Sequence, residues 1–518
     1  MSDAERTSET THNSPRRGEI VAAAVPMAGL AAAALPVILT GSMVGRGAFD
    51  QLNYHEPMIR RFAEAWPAVD LSNYLSATTP LYHLVLAGLA AALPGPADAA
   101  SMIVLRLVGL LFALAAVGGL GWMVARGAGR LVGCLAGLAL GAGLYFFASA
   151  AWLLPDDAAW ALVLLVLGLC LRPKVGWRGL LAAGLVVLVL VNIRQSHVWT
   201  AAIVWTAAWL SAVRWEADAD SELWEDVRPL LLNPVGSLGR VGIGVLATAP
   251  AFVAIGLWYR EWGGFVPPVY HSYMQGANPA VVPLMVLQIA IIGGALVGFW
   301  GPRLVDDWRA AERPRRTALV LGFVAATLIG LVIAVVPETT WDKDAGRWSG
   351  YWNLTQKLPD LAGRTNLAFV VLCPLGMIAL LGLLRAADRR TRWVLFGALV
   401  AATAALSINQ NAWQRYQEPL LVILMMLLAA SAAGRRGGGW KIEPSLRVLG
   451  LSGLIVLFAG ITAASLRASS EAVLLEAHPR VEQPLRELWP PSWQEMPPAS
   501  WRGWNGGTDD TDVPPEDG

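Results

Sequence analysis

The chain has 518 residues, 55% of them hydrophobic and 15% charged, with a mean hydropathy of +0.50, which excludes an ordinary soluble globular protein. Its formal net charge of +1 gives no field that would attract a nucleic acid, so the information lies in where the charges sit. Cys134, Cys170 and Cys373 fall inside apolar runs without metal-like spacing and read as small core residues.

The first eighteen residues are polar and include Arg16-Arg17. The apolar run that follows, Ile20 to Val44, is too long for a signal-peptide core and predicts an uncleaved anchor with a cytosolic amino terminus. Crossing roughly 30 Å of hydrocarbon takes about 20 apolar residues. Runs of that character, several of them short, occur at 20–44, 99–124, 131–151, 158–171, 179–193, 198–213, 240–257, 279–299, 317–336, 366–385, 393–407, 418–433 and 448–465. The expectation is therefore an all-α polytopic membrane protein of about thirteen transmembrane helices. It divides into a cytosolic tail (1–18), a transmembrane domain (19–465) whose first external loop spans 45–98, and an extracytoplasmic tail (466–518). That tail, Pro-rich, acidic and holding Trp489, Trp493, Trp501 and Trp504, is expected to be largely disordered, its tryptophans resting on the bilayer interface or stacking on sugars.

The run from Pro80 to Leu93 would give a helix of only about 21 Å and reads as juxtamembrane or re-entrant. Were it to cross, RGAGR (126–130) and RPKVGWR (172–178) would lie outside and the acidic 154–157 inside, against the positive-inside rule. With it not crossing, 24 of the 39 Lys and Arg fall on the cytosolic side, Arg106 lies within a span and 14 are external. The external pieces are then 45–98, 152–157, 192–197, 258–278, 337–365, 408–417 and the tail. Polar groups from these pieces can share one site.

Asp50 follows the first span by a few residues. It is either a solvated loop carboxylate or a base placed to take a proton from a hydroxyl attacking a substrate in the outer leaflet. Asp156-Asp157, in a very short loop on the same side, supplies a second acidic group, for positioning or for a divalent cation. Arg194, Arg347 and Arg415 lie at external membrane boundaries, each as an interface anchor or as a ligand for a lipid phosphate. His55, His83, His197 and His271 are four of the six histidines, all external. Arg106, near the outer end of a span, reads as the structural partner of an external carboxylate. These parts suit sugar transfer from a polyprenyl-phosphate donor: cations hold the departing phosphate, one carboxylate activates the acceptor, and attack from the opposite face inverts the anomeric centre.

A first span, an acidic loop and a Thr-Thr-Pro-x-Tyr before an apolar helix resemble the GT-C membrane glycosyltransferases, and more closely the dolichyl-phosphate-glucose-dependent alpha-1,2-glucosyltransferases. That family's Asp-Glu-x-Phe-His-x-Pro is similar to Asp50 through Pro57, with His55 matched and Gln51 in place of its Glu. Its Thr-Thr-Pro-Leu-Tyr resembles Thr78 to Tyr82, including Thr79, and its Tyr-Thr-Asp resembles Asp156 or Asp157. Its Arg-Gln-Thr-Asn-x-x-Trp is similar to Arg194, Gln195, Ser196, His197 and Trp199; its Trp-Asn-Gly-Gly loop to Trp262-Gly263-Gly264 with His271; its late Arg-Tyr to Arg415-Tyr416; and its Asp-Asn-Arg-His-Tyr to 344–348 with Arg347.

The resemblance implies a GT-C-type bundle and an inverting transferase moving a hexose, glucose in the family, to an extracytoplasmic glycan or lipid-linked acceptor. It also implies Asp50 as base, Asp156 or Asp157 positioning, the arginines on the donor phosphate, and no cofactor beyond the lipid-phosphate-sugar co-substrate, a divalent cation being left open. Ala, Gly and Arg usage looks bacterial, placing the chain in a plasma (inner) membrane, or in the endoplasmic reticulum if eukaryotic. The alternatives are a transferase of the protein O-mannosyl or aminoarabinose type and a non-enzymatic lipid or sugar transporter.

Overall fold

In the computed structural model the described residues are 17–71, 74, 76–93, 99–212, 234–271, 276–339, 350–409, 412–434 and 443–469. Each of the thirteen apolar runs is helical. The chain opens with α1 (Arg17–Leu39), then α2 (Gly45–Asp50), a π-helical turn (Gln51–His55), α3 (Glu56–Glu64) and α4 (Leu81–Ala91). Next come α5 (Ala99–Ala128), α6 (Arg130–Ala142), α7 (Leu144–Ala151), α8 (Asp156–Cys170), α9 (Trp177–Ile193), a 3-10 turn (Gln195–Trp199) and α10 (Thr200–Leu210). After α11 (Pro234–Trp262) follow α12 (Val281–Ala295), α13 (Val297–Ala310), α14 (Arg313–Val335), the short α15 (Tyr351–Thr355), α16 (Leu367–Ala386), α17 (Arg389–Ser407), α18 (Gln414–Gly434) and α19 (Glu443–Ala468).

Seven of these helices, α1, α5, α11, α14, α16, α18 and α19, are long and apolar enough to span a bilayer alone. Two further spans are broken: α6 and α7 meet at 74°, and α12 and α13 at 78°. Seven of the thirteen expected spans, or nine with each bent pair counted as one, are long and apolar enough to cross by themselves; the other four runs form the shorter or more charged α8, α9, α10 and α17. The break between α6 and α7 falls at Gly143, whose ψ of 135° leaves the helical region. The run 80–93 forms only the eleven-residue α4. A two-stranded hairpin, Asp360–Leu361 against Thr365–Asn366, turns through Ala362 and Gly363 at positive φ and is the only sheet among the described residues.

Burial separates the helices into centre and periphery. In α18, 83% of the apolar window is buried, against 22% in α1, α11, α14 and α19. A helix apolar all round belongs inside, so α18 is the axis of the bundle, and the outer four turn apolar side chains to the membrane. Helix–helix contact relies on small residues that let backbones approach. Gly121 of α5 faces the backbone carbonyl of Ala22 in α1, and Gly376 of α16 faces that of Val286 in α12. Gly121→Leu should cost about 1–3 kcal/mol by overpacking, read as a lowered unfolding midpoint in detergent, whereas Gly119→Leu, into open space on the same helix, should leave the midpoint nearly unchanged.

Candidate active site

A cavity of about 1400 Å³ opens at one end of α18, and every external segment expected from the sequence contributes to its wall. Asp50, Tyr54 and His55 come from the first loop, Asp156 from the start of α8, Arg194 and Gln195 from the turn before α10 and Gly263 to Val266 from the loop after α11. Tyr351 and Leu354 belong to α15, Trp413 to Tyr416 to the entry of α18, and Ala464 to Ser469 to the exit of α19.

Three ion pairs, Asp50–Arg415, Asp50–Arg46 and Asp156–Arg194, line the cavity. Asp50, buried to 4% exposure, bonds Arg415 Nη1 through Oδ2, while its Oδ1 lies 3.4 Å from Nε of Arg46. Asp156 Oδ1 accepts from Arg194 Nη1 at 2.5 Å. Two of the guanidinium groups lie over the ring of Tyr416, Arg194 at 4.3 Å and Arg415 at 4.9 Å from its centroid. Their two acid–base pairs therefore share one aromatic platform.

The local fold explains why Asp50 points this way. Gln51 Oε1 accepts from Arg106 Nε at 3.0 Å and from the backbone N–H of Leu153 at 3.1 Å, and its Nε2 donates to Glu56 Oε2 at 2.7 Å. Glu56 also holds Arg60 at 2.6 Å. Arg106 thus reaches an external carboxylate through the Gln51 amide and not directly. Gln51 both donates and accepts here, which a carboxylate could not do. The π-helical turn inserts a residue between Asp50 and α3, as such turns do at functional sites.

The remaining candidates divide into wall and scaffold. Of the two aspartates only Asp156 faces the cavity; Asp157 is buried behind it with neither carboxyl oxygen hydrogen-bonded, its backbone N–H donating to Ser149 Oγ. Thr79 is fully buried, donating through Oγ1 to the Val191 carbonyl at 2.7 Å and through its backbone N–H to Gln195 Oε1 at 3.1 Å. Gln195 Nε2 donates to the carbonyls of Ala77 and Phe265, stitching three loops together. His197 packs edge-on against Trp160, 4.8 Å between centroids, away from the cavity. Trp262 stacks on Tyr74 and Trp258 behind the wall, and its glycine neighbours are the ones exposed to the cavity. His271 is tied to the Val266 carbonyl at 2.9 Å and braces that loop from outside. Arg347 lies outside the described residues.

Sequence reasoning passed over Arg46, Trp413 and Gln414, all on the wall, and Glu418 behind it. Gln414 donates to Glu418 Oε2 at 2.5 Å and accepts the backbone N–H of Tyr351. The polar turn QRYQE opening an otherwise apolar span was the available signal. No group of three or more His, Cys, Asp or Glu suited to a metal ion occurs among the described residues.

Burial, reinforced by Arg415, pushes the pKa of His55 from 6.5 to about 3; burial and then Arg194 push that of His197 to about 3. Between about 3 and 6.5 the unfolded chain therefore holds more protons than the folded one, so stability rises with pH across that window and is lost on acidification. The unfolding midpoint in detergent should fall as pH drops from 7 towards 4, and more shallowly in the His55→Gln/His197→Gln double variant. Equal slopes would remove these histidines as the cause.

No protein-family model and no curated protein matches the chain. Among solved structures, the crystal structure of ArnT from Cupriavidus metallidurans bound to undecaprenyl phosphate is similar at 15% identity, over 79% of this chain and 77% of that chain, with a TM-score of 0.35. The apo state of the same protein gives 16% identity, the same coverage and a TM-score of 0.32. Values this low assign neither a family nor a substrate.

Proposed function

We propose that this multi-pass membrane protein is a GT-C-type glycosyltransferase that moves a sugar from a polyprenyl-phosphate donor to a hydroxyl of a glycan or lipid-linked acceptor, with inversion. The observation that carries the reading is the pairing of Asp50 with Arg415 on the wall of a cavity larger than the roughly 300–1,000 Å³ of single-ligand sites. That volume suits two substrates together. The flank formed by Leu144, Ala148, Ile461, Ala464 and Leu466 is apolar and suits an isoprenoid tail.

In the structure Arg415 neutralises Asp50. A donor phosphate offers the guanidinium a bidentate partner of higher charge, with Arg46 alongside, and draws it from the carboxylate. Asp50 is then free to accept the acceptor hydroxyl's proton as its oxygen bonds the anomeric carbon. The carbon–oxygen bond to phosphate breaks on the opposite face, and the polyprenyl phosphate departs with the electron pair, held by arginines, so no general acid is required. Arg194–Asp156, on the same tyrosine platform, positions the second substrate or steadies the phosphate. A hexose, glucose above all, is the proposed donor sugar from the motif resemblance.

Transfer is measured with purified full-length protein, radiolabelled polyprenyl-phosphate hexoses and pentoses, and glycolipid and glycan fractions as acceptors. Asp50→Asn should lower turnover per folded protein by roughly 10²–10⁴-fold and also lower the unfolding midpoint, because Arg415 loses its carboxylate; near-normal turnover would rule out the base. Arg415→Lys, which keeps charge but loses the bidentate fork, should raise the donor KM more than it lowers kcat. Uptake of a lipid or sugar into liposomes without transfer would favour a transporter.

A further inference from the structure

Behind the cavity wall three titratable side chains stand in one hydrogen-bonded line that the transfer chemistry leaves unused. His55 lines the cavity, and its Nδ1 lies 2.9 Å from His83 Nε2, the two rings stacked at 5.1 Å. His83, fully buried in α4, places Nδ1 2.8 Å from the hydroxyl of Tyr74. That hydroxyl also reaches the backbone carbonyl of Thr79 at 3.3 Å and the hydroxyl of Thr78 at 3.5 Å. With Nδ1 engaged, Nε2 is the nitrogen His55 has for the cavity.

Of the two groups beyond Tyr74, the Thr78 hydroxyl can donate or accept, whereas the Thr79 carbonyl only accepts, and it is the carbonyl that gives the line a direction. When Tyr74 donates its single proton to Thr79, its oxygen can only accept from His83, which must then carry its proton on Nδ1 and be bare on Nε2. His55 must in turn donate from Nδ1, which leaves an unprotonated Nε2 facing the cavity. Ionised alternatives are disfavoured at every member. Burial holds His55 down to about 3, with Arg415 and Arg194 opposing its proton and Asp156 favouring it. Burial, then His55, keeps His83 well below its ordinary value, and burial raises the Tyr74 phenol.

We propose that His55 Nε2 is a fixed hydrogen-bond acceptor that selects a substrate presenting a hydroxyl at this point of the cavity, and that His83 and Tyr74 are positioning residues that hold its tautomer. A neutral histidine in water exchanges between the two roles; here a line ending on a backbone carbonyl favours one of them. The site would take a sugar hydroxyl and reject a deoxy or O-methyl analogue, which has no proton to give. The substrate class rests on the glycosyl-transfer reading, whereas the tautomer does not.

The test is nitrogen NMR of the full-length protein in detergent micelles, with 15N-labelled histidine and His55→Gln and His83→Gln for assignment. The expected spectrum at pH 7 has both rings neutral and protonated on Nδ1. Tyr74→Phe, which keeps the ring stack on Trp262 at 6.2 Å but removes the anchor, should shift both rings towards the other tautomer. It should also raise the KM of the transferred-sugar donor or of the acceptor about tenfold, the loss of one hydrogen bond, with kcat little changed. A wild-type His55 protonated on Nε2, or unchanged tautomers in a folded Tyr74→Phe variant, would overturn the proposal. A correct tautomer with no transfer from any donor would overturn the glycosyl-transfer reading and the sugar-hydroxyl specificity with it, so the two failures are distinguishable.

Discussion

The structure depends on a charge at the cavity end of its central helix. α18 is the most buried of the long helices, yet its first turn holds Arg415 on the cavity wall. A largely buried ionised side chain is costly unless it is paired. The partner comes from the first loop, 365 residues earlier in the chain. That single requirement draws α2 and the π-helical turn onto the mouth of the bundle. Arg106 is a buried cation from another helix, and Gln51, the neighbour of Asp50, accepts from it. One short stretch thus neutralises or saturates two arginines from two helices, and the loop is positioned by their need.

A division of labour recurs among adjacent residues. Asp50 faces the cavity and Gln51 the scaffold; Asp156 faces the cavity and Asp157 the interior; Arg194 pairs at the wall and Gln195 ties three loops. Asp50-Gln51 and Asp156-Asp157 lie in helical segments, where successive side chains diverge by about 100°, so the wall residue has a neighbour aimed into the packing, whereas Gln195 reaches the wall beside an extended Arg194. Asp50-Gln51 and Arg194-Gln195 place an ionic group beside an amide that can donate and accept. The amide makes the ionic group's position precise without competing for its charge.

Much of this was legible in the sequence, and the limits have a physical cause. Hydropathy is local, so each apolar run was found as a helix, and α4 was recognisable as too short to cross. The same locality hid the breaks at Gly143 and Leu296, where one apolar run holds two helix directions. Charge bias along the chain grouped the loops that meet at the cavity. What the sequence could not carry was pairing at a distance: that Arg415 meets Asp50, that Asp156 rather than Asp157 turns to the cavity, or that His55 and His83 stack. Thr79, Gln195, Trp262 and His271 stood out as motif residues because loops must be built, yet only Gln195 among them reaches the wall.

In the proposed reaction, an arginine already paired with a carboxylate changes the energetics of phosphate binding. The desolvation of Arg415 is met on folding, so exchanging a carboxylate for a phosphate does not incur it again. The cost falls on Asp50, which loses its guanidinium partner while still 4% exposed. Arg46, at 3.4 Å and with its side chain 47% exposed, is a weaker and more screened substitute. A buried carboxylate stripped of its cation gains most from a proton, and an acceptor hydroxyl at the same wall supplies one. In the proposed reaction, binding of the donor therefore creates the base, and the carboxylate stays neutralised whenever the phosphate is absent. That order protects the cavity from idle proton transfer and couples the two substrates through one side chain.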